Sequence, residues 1–173
     1  MPPNAAYTVA MLLRAAEPAD ALAVARVHIR AWQVGFSGLL PQASLDALSP
    51  ELRATRYSFG SPDPDKPATL VTVEGDAIRG FVTTAPSDLP GIGQLVALYV
   101  DPEHWGRGLA ATLVAAGRAV LATRFETAVL WHLVGNARAE RFYRIDGWAP
   151  DGAKRTDELM GIAVDEVRFR RSL

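Results

Sequence analysis

Two glycines flank an arginine where an apolar strand pattern gives way to an alanine-rich helix pattern: Gly106, Arg107 and Gly108, in the segment DPEHWGRGLAAT. The start of a helix presents unpaired N–H groups and a partial positive charge. Glycines let a phosphate approach that backbone without meeting a β-carbon, and arginine adds a fixed charge suited to phosphate. The segment therefore predicts a phosphate or diphosphate site, although an ordinary strand-to-helix turn would use the same residues.

The spacing of these glycines differs from two common nucleotide-binding motifs. The turn lacks the GxxxxGK[ST] pattern of P-loop nucleotide hydrolases, and Ala111 stands where GxGxxG places its third glycine. A Rossmann fold also needs a series of parallel βαβ units, whereas three successive strand patterns precede this turn. On these residues alone, a phosphate site and an ordinary turn remain open.

Apolar periodicity along the rest of the chain predicts the element order βα(α)βββαβαββ, a mixed α/β fold with a largely antiparallel front half. Ser49 before Pro50 predicts the start of a helix. The predicted strands cover residues 8–14, 68–75, 77–86, 93–100 and 127–134, with one or two more in 157–173. The predicted helices cover residues 17–32, 38–48, 49–59, 106–123 and 136–146.

The composition excludes several classes of function. The chain has 173 residues, 49% of them hydrophobic, which suits a single domain over residues 1–173. A formal net charge of −1 predicts no nucleic-acid partner and no membrane partner. The sequence contains no cysteine, and its three histidines are not spaced as zinc ligands, so no metal is expected. Its apolar stretches are well short of the ~20 residues that span a bilayer, and it begins without a signal-peptide pattern, which predicts a cytoplasmic protein.

A second motif follows the glycine turn after one helix pattern and one strand pattern, in the segment LWHLVGNARAERFYRIDGW. The two motifs together resemble the GNAT superfamily of acetyl-CoA-dependent N-acetyltransferases. That family's turn, Gln/Arg-x-x-Gly-x-Gly/Ala after a strand that ends in V-x-P, is matched over residues 98–114. Its second motif, N-x-x-A-x-x-F-Y-x-x-x-G-[FW], is matched at Asn136, Ala139, Phe142, Tyr143, Gly147 and Trp148.

One residue departs from the family's pattern: Trp105 stands where the turn has Gln or Arg. The glycine and alanine positions that shape the turn are kept. We therefore expect the backbone to do most of the phosphate binding, and Trp105 to cap the helix or pack on the adjacent loop.

The resemblance implies a GNAT-like acyl-CoA N-acyltransferase fold, with a central, twisted, mostly antiparallel sheet and helices on both faces. The sheet would splay where the strand before the glycine turn parts from the next strand, and acetyl-CoA would bind in that cleft. The turn would hold the diphosphate, and the strand edge would lie beside the pantetheine arm. The cofactor-binding residues so implied are Leu98, Tyr99, Val100, Gly106, Arg107, Gly108, Leu109, Ala110, Asn136 and Tyr143.

The resemblance also implies roles in catalysis. The main-chain N–H of Leu98 or Tyr99 would polarise the acetyl carbonyl, and Tyr143 would donate a proton to the departing CoA thiolate. The strand before the turn carries Gln94 and no acid, where many family members have a glutamate base. His28, in the first helix, is a candidate base for the amine. The alternatives are His132, Glu74, Asp88 and a chain of waters.

The predicted function is transfer of an acetyl group from acetyl-CoA to a primary amine of a small molecule or peptide, directly within a ternary complex. Transfer to a protein N-terminus, or transfer of a longer acyl group, fits the same motifs. A non-catalytic acyl-CoA-binding or regulatory module remains an alternative, because the strand lacks the glutamate and Trp105 departs from the family's pattern. The presence of Tyr143 argues against this alternative. Dimers are common on this fold, so a homodimer is a further expectation.

Overall fold

The computed structural model describes residues 10–173, in which seven strands form one sheet. The strands are β1 (Met11–Ala15), β2 (Ala68–Glu74), β3 (Ala77–Pro86), β4 (Gly93–Val100), β5 (Thr127–Leu133), β6 (Ala149–Leu159) and β7 (Ile162–Ser172). The helices are α1 (Ala21–Gly35), α2 (Gln42–Asp46), α3 (Pro50–Ala54), α4 (Leu109–Ala122) and α5 (Ala137–Ile145). The strand order across the sheet is β1-β2-β3-β4-β5-β7-β6.

The sheet is antiparallel throughout except where β4 meets β5. These two strands pair in parallel over Gly93–Leu95 and Ala128–Leu130 only. Beyond Leu95, β4 stays with β3 while β5 stays with β7, so a cleft opens in the middle of the sheet. The predicted mixed fold is confirmed, with a mostly antiparallel sheet that splays where β4, the strand before the glycine turn, parts from β5.

The first two predicted elements have different bounds in the structure. The predicted strand over residues 8–14 lies partly outside the described residues, and the described strand runs to Ala15. The predicted helix over 17–32 is divided into a 3₁₀ turn at Pro18–Asp20 and α1, which continues to Gly35. Proline at the first position of the turn fixes its φ angle, as expected at a helix start.

The last hairpin begins earlier than the sequence predicts, at Ala149 instead of residue 157. The letters PDG at the start of β6 are typical of a turn. β6 is an edge strand, however, and Pro150 needs no ladder partner on its outer side. The register with β7 shifts between Pro150 and Lys154, which absorbs the irregular residues.

Helices cover both faces of the sheet, as the alternation of side chains along β3 shows. Phe81 packs with Val24 of α1, whereas the next residue, Val82, packs with Leu113 of α4. The approach of α4 is close, because a β-carbon on Gly117 would come within 2.9 Å of the Val82 side chain. Because α4 packs on β3 and β4, the first turn of α4 lies near the carboxyl end of β4.

A histidine is buried in the core on the α1 face. The Nδ1 atom of His28 lies 3.0 Å from the Tyr57 hydroxyl, and its ring stacks on Tyr99 with centroids 4.5 Å apart. Two further aromatic rings meet it edge-on. Burial, with a smaller effect of the Arg53 charge, lowers the pKa of His28 well below its usual 6.5. The imidazole is therefore neutral at neutral pH.

The neutral state of His28 predicts a pH dependence of stability. In the unfolded chain His28 titrates near pH 6.5, whereas burial delays this protonation in the folded protein to lower pH. Below pH 6.5 the unfolded chain thus binds more protons, and the free energy of unfolding falls as pH falls. One histidine contributes at most about 1.4 kcal/mol per pH unit. We expect His28→Phe to flatten this slope between about pH 6.5 and 5 in urea denaturation.

The control is Tyr57→Phe, which removes the hydrogen-bond partner, keeps His28 buried and should retain the parent's slope. His132, whose pKa burial also lowers, leaves a residual slope in both variants. An unchanged slope in the His28→Phe protein would contradict this account of acid sensitivity.

Candidate active site

The edge of β4 that faces the cleft carries main-chain groups that have no strand partner among residues 10–173. On its other edge β4 pairs with β3, where the Asp101 N–H donates to the Arg79 carbonyl at 2.7 Å. Residues of an antiparallel strand point their main-chain groups alternately toward and away from the neighbouring strand. Tyr99 therefore points toward β3, whereas Leu98 and Val100 point into the cleft. This geometry favours Leu98 over Tyr99 as the N–H donor of the site.

A β-bulge precedes these residues and bends the strand. Thr83 of β3 pairs with Ala97 and Thr84 pairs with Leu95, which leaves Val96 without a partner. A bulge increases the local twist of a strand and turns it away from its course. β4 therefore leaves β5 directly after their last paired residues. The sequence GQLVALYV contains no signal for this bulge, because its residues are those of a regular buried strand.

The cleft contains a cavity of about 190 Å³ between β4, β5, α1 and α5. Within residues 10–173, the side chains that line it include no carboxylate and no imidazole. The wall is largely apolar and aromatic, with main-chain groups of β4 as polar partners. Six of the residues implied by the two motifs line it: Leu98, Tyr99, Val100, Ala110, Asn136 and Tyr143.

The glycine-rich turn adjoins this cavity. Gly106 and Gly108 have positive φ angles of 75° and 82°, and a β-carbon on either would meet no atom of residues 10–173 within 4 Å. Gly108 is the N-cap of α4, and the Thr112 N–H donates to its carbonyl at 3.1 Å. The N–H groups of Leu109 and Ala110 therefore have no partner inside the helix. This turn offers an anion unpaired donors, open space and the positive end of a helix.

The side chain of Trp105 extends between β4 and α5. Its indole Nε1 donates to the Val100 carbonyl at 2.8 Å. The guanidinium of Arg138 lies over the ring, 3.5 Å from its centroid. Arg107 is exposed and is not among the lining residues. No sequence motif singled out Arg138, whose contact with Trp105 joins two helix starts that are distant in sequence.

Asn136 and Tyr143 stand on the α5 side of the cavity. The Asn136 side chain accepts a hydrogen bond from the Ala139 N–H at 3.1 Å, so the predicted helix cap forms. Tyr143, two turns along α5, lines the cavity with 9% of its surface exposed. Burial raises the pKa of its hydroxyl above the usual 10, with smaller contributions from Tyr99 and Asp146. This hydroxyl keeps its proton throughout the physiological pH range.

None of the four candidate bases lines the cavity described here. His28 stacks on the Tyr99 ring inside the core, and His132 points into the core on the α4 and α5 face. Glu74 forms an ion pair at the end of β2, and Asp88 is exposed in the β3–β4 loop. We therefore assign no step of the chemistry to these four side chains.

A buried carboxylate lies behind the cavity wall on the α1 face. Glu166 of β7 is 4% exposed and accepts a hydrogen bond from Arg155 Nε at 2.7 Å. The same guanidinium lies 4.2 Å from the ring centroid of Trp131, which lines the cavity. Burial raises the pKa of Tyr99 to about 12, and the charge of Glu166 adds to that rise. Glu166 and Arg155, the charged groups behind this wall, are thus paired with each other.

Residues 10–173 contain neither a metal-binding cluster nor a membrane-spanning helix. That part of the chain contains no cluster of three His, Cys, Asp or Glu side chains placed to hold a metal ion. None of its helices combines the length and the apolar character needed to cross a bilayer.

Solved acetyltransferase structures share this fold. The PaiA N-acetyltransferase of Thermoplasma acidophilum, in complex with coenzyme A, is 14% identical at a TM-score of 0.68, over 95% of this chain and 99% of that chain. A Salmonella typhimurium protein solved with its cofactor acetyl-CoA is 18% identical at a TM-score of 0.69, over 95% and 94%. The ribosomal-protein-S18-alanine N-acetyltransferase of Escherichia coli is 17% identical at a TM-score of 0.67, over 94% of each chain. A comparison with curated proteins found no match.

The family model described as Acetyltransferase (GNAT) family matches residues 31–148. This stretch is more than half of the chain and includes β4, the glycine turn, Asn136 and Tyr143. Members of the family use acetyl-CoA, as the solved complexes illustrate. The chain therefore belongs to the GNAT family of acetyltransferases.

Proposed function

We propose that this protein is an N-acetyltransferase that moves the acetyl group of acetyl-CoA directly to a primary amine of a small molecule or peptide. One observation carries the proposal: a single cavity is bordered by the main chain of Leu98, the first turn of α4 at Ala110 and the ring of Tyr143. A hydrogen-bond donor for an oxyanion, an anion site at a helix start and a proton donor thus border the same cavity.

The residues present fit the phosphates and the arm of CoA. The open space in front of Gly106 and Gly108 accommodates a phosphate that a β-carbon would obstruct. The unpaired N–H groups at the start of α4 favour negative charge. The main-chain groups of Leu98 offer an extended amide chain the hydrogen bonds that an added strand would make.

The chemistry assigned to this chain consists of polarisation and proton transfer. When bound, acetyl-CoA supplies a thioester carbonyl that the amine attacks. The Leu98 N–H points into the cleft and donates to the carbonyl oxygen as negative charge develops there, a contribution of about 2.7–4 kcal/mol for one donor elsewhere. Tyr143, whose hydroxyl is protonated at neutral pH, donates to the sulfur as the C–S bond breaks and regains a proton, through water, from the nitrogen that becomes the amide.

The amine must lose its proton before it attacks the thioester. The cavity lining within residues 10–173 offers no carboxylate and no imidazole to take that proton. We therefore infer that the amine enters the site as the free base, after giving its proton to water.

The absence of a base from the lining also favours one alternative, a non-catalytic acyl-CoA-binding module on the same fold. Release of CoA from acetyl-CoA over a panel of amines separates the two functions. The panel includes small amines and peptides with free N-termini. Turnover of any member supports the transferase, whereas binding of acetyl-CoA without turnover supports the module.

We expect Gly108→Ala to raise the Kd of acetyl-CoA at least about tenfold, a loss of about 1.4 kcal/mol. The added methyl group enters the space that a phosphate would fill, at a φ of 82° where alanine is also strained. Calorimetric titration measures the Kd. The matched control is Gly91→Ala, which has a φ of 74° and equally open space, and which lies before β4, at the opposite end of that strand from the glycine turn. Similar weakening in both variants would mean that strain, not obstruction, sets the affinity.

We expect Tyr143→Phe to lower kcat about 100-fold while the Kd of acetyl-CoA stays within about twofold. This is the lower end of the range for general acids, because a thiolate whose conjugate acid has a pKa of about 8.5 leaves readily. Steady-state kinetics and calorimetry give the two quantities. Tyr57→Phe removes a hydroxyl outside the cavity lining and should leave kcat unchanged. Full turnover by Tyr143→Phe would remove the tyrosine from the mechanism.

A further inference from the structure

Arg138 holds a positive charge at the cavity without a carboxylate partner. It is the second residue of α5, it lines the cavity, and it takes part in none of the ion pairs found within residues 10–173. The side chain is exposed at the rim of the cavity, and burial of part of the guanidinium lowers its pKa. An unpaired positive charge beside a cavity attracts an anion into that cavity.

Trp105 fixes the position of that charge. The indole is held at one edge by the hydrogen bond from Nε1 to the Val100 carbonyl, 2.8 Å long. The Arg138 guanidinium, 3.5 Å from the ring centroid, is well inside the range of a cation–π contact. The N–H donors of a guanidinium lie in its own plane. Because one face of the Arg138 guanidinium lies on the indole, its N–H donors remain available to a ligand.

The stacked pair adjoins the glycine turn. Trp105 directly precedes Gly106, and Ala110 of the first turn of α4 lines the same cavity as Arg138. An anion bound to the N–H groups of that turn is thus next to the Arg138 guanidinium. Arg107 is likewise exposed, but it does not line the cavity.

We propose that Arg138, carried on Trp105, is the cationic ligand of the CoA diphosphate, and that Trp105 is a positioning residue that acts through Arg138. This inference rests on the proposed use of acetyl-CoA by this chain. The positive side chain of the phosphate site would then come from α5, which follows the glycine turn after one helix and one strand.

The test is a set of calorimetric titrations with acetyl-CoA and with 3′-dephospho-acetyl-CoA, which keeps the diphosphate. The variants are Arg138→Gln, Trp105→Ala, Trp105→Phe and the double variant of Arg138→Gln with Trp105→Ala. Arg141→Gln is the matched control, because Arg141 is exposed on the same helix, outside the cavity, and the charge change is the same.

Arg138→Gln should raise the Kd of both ligands at least about tenfold, the size of a lost hydrogen bond to a charged group. The Kd of the Arg141→Gln variant should stay within about twofold of the parent's Kd. Trp105→Ala should match Arg138→Gln, and the double variant should be no weaker than either single variant, because the two residues act as one unit. Trp105→Phe keeps an aromatic face and should retain most of the affinity.

Three results would overturn the proposal. A Kd of the Arg138→Gln variant within about twofold of the parent's would show that Arg138 does not bind the ligand. A loss confined to acetyl-CoA would assign Arg138 to the 3′-phosphate instead of the diphosphate. Additive losses in the double variant would show that Trp105 contacts the ligand by itself. Failure of the parent protein to bind either ligand would instead overturn the proposed function, together with this inference.

Discussion

Every role proposed for this protein depends on one constraint: β4 and β5 pair over Gly93–Leu95 and Ala128–Leu130, and no further. A strand inside a sheet ordinarily satisfies its main-chain groups on both edges. Here the bulge at Val96 turns β4 away, and the main-chain groups of Leu98 have no strand partner in the described part of the chain. Water can satisfy them in the free protein, and an amide-bearing ligand can replace that water. The middle of the sheet thus presents an edge that a ligand can complete.

The same parting of strands explains why two distant motifs meet. β4 and β5 run parallel, so both end at the same side of the sheet, and each is followed by a helix. The first turns of α4 and α5 are therefore neighbours across the gap. Trp105, at the approach to α4, and Arg138, in the first turn of α5, join them through a contact of 3.5 Å. The cleft is open along β4 and bridged at this end by one aromatic and one cationic side chain.

Much of this site could be predicted from local sequence, because helix ends and turns depend on neighbouring residues. Gly108 with its positive φ and the Asn136 cap follow from short patterns, whereas the resemblance to the family implied the position of Tyr143 at the cavity. The bulge at Val96 depends on register with another strand, and the stack of Arg138 on Trp105 joins residues 33 positions apart. Such features arise from tertiary packing, which single-sequence patterns do not encode.

Amide hydrogen exchange at Leu98 tests the central claim most directly, because that N–H is assigned to the open edge of β4 while its neighbour Tyr99 is assigned to the β3 ladder. The account predicts that, in the free protein, the Leu98 amide exchanges at least about tenfold faster than the Tyr99 amide. It also predicts that saturation with acetyl-CoA slows exchange at Leu98 and leaves Tyr99 unchanged. Equal protection of the two amides in the free protein, or no slowing at Leu98 when acetyl-CoA is bound, would contradict it.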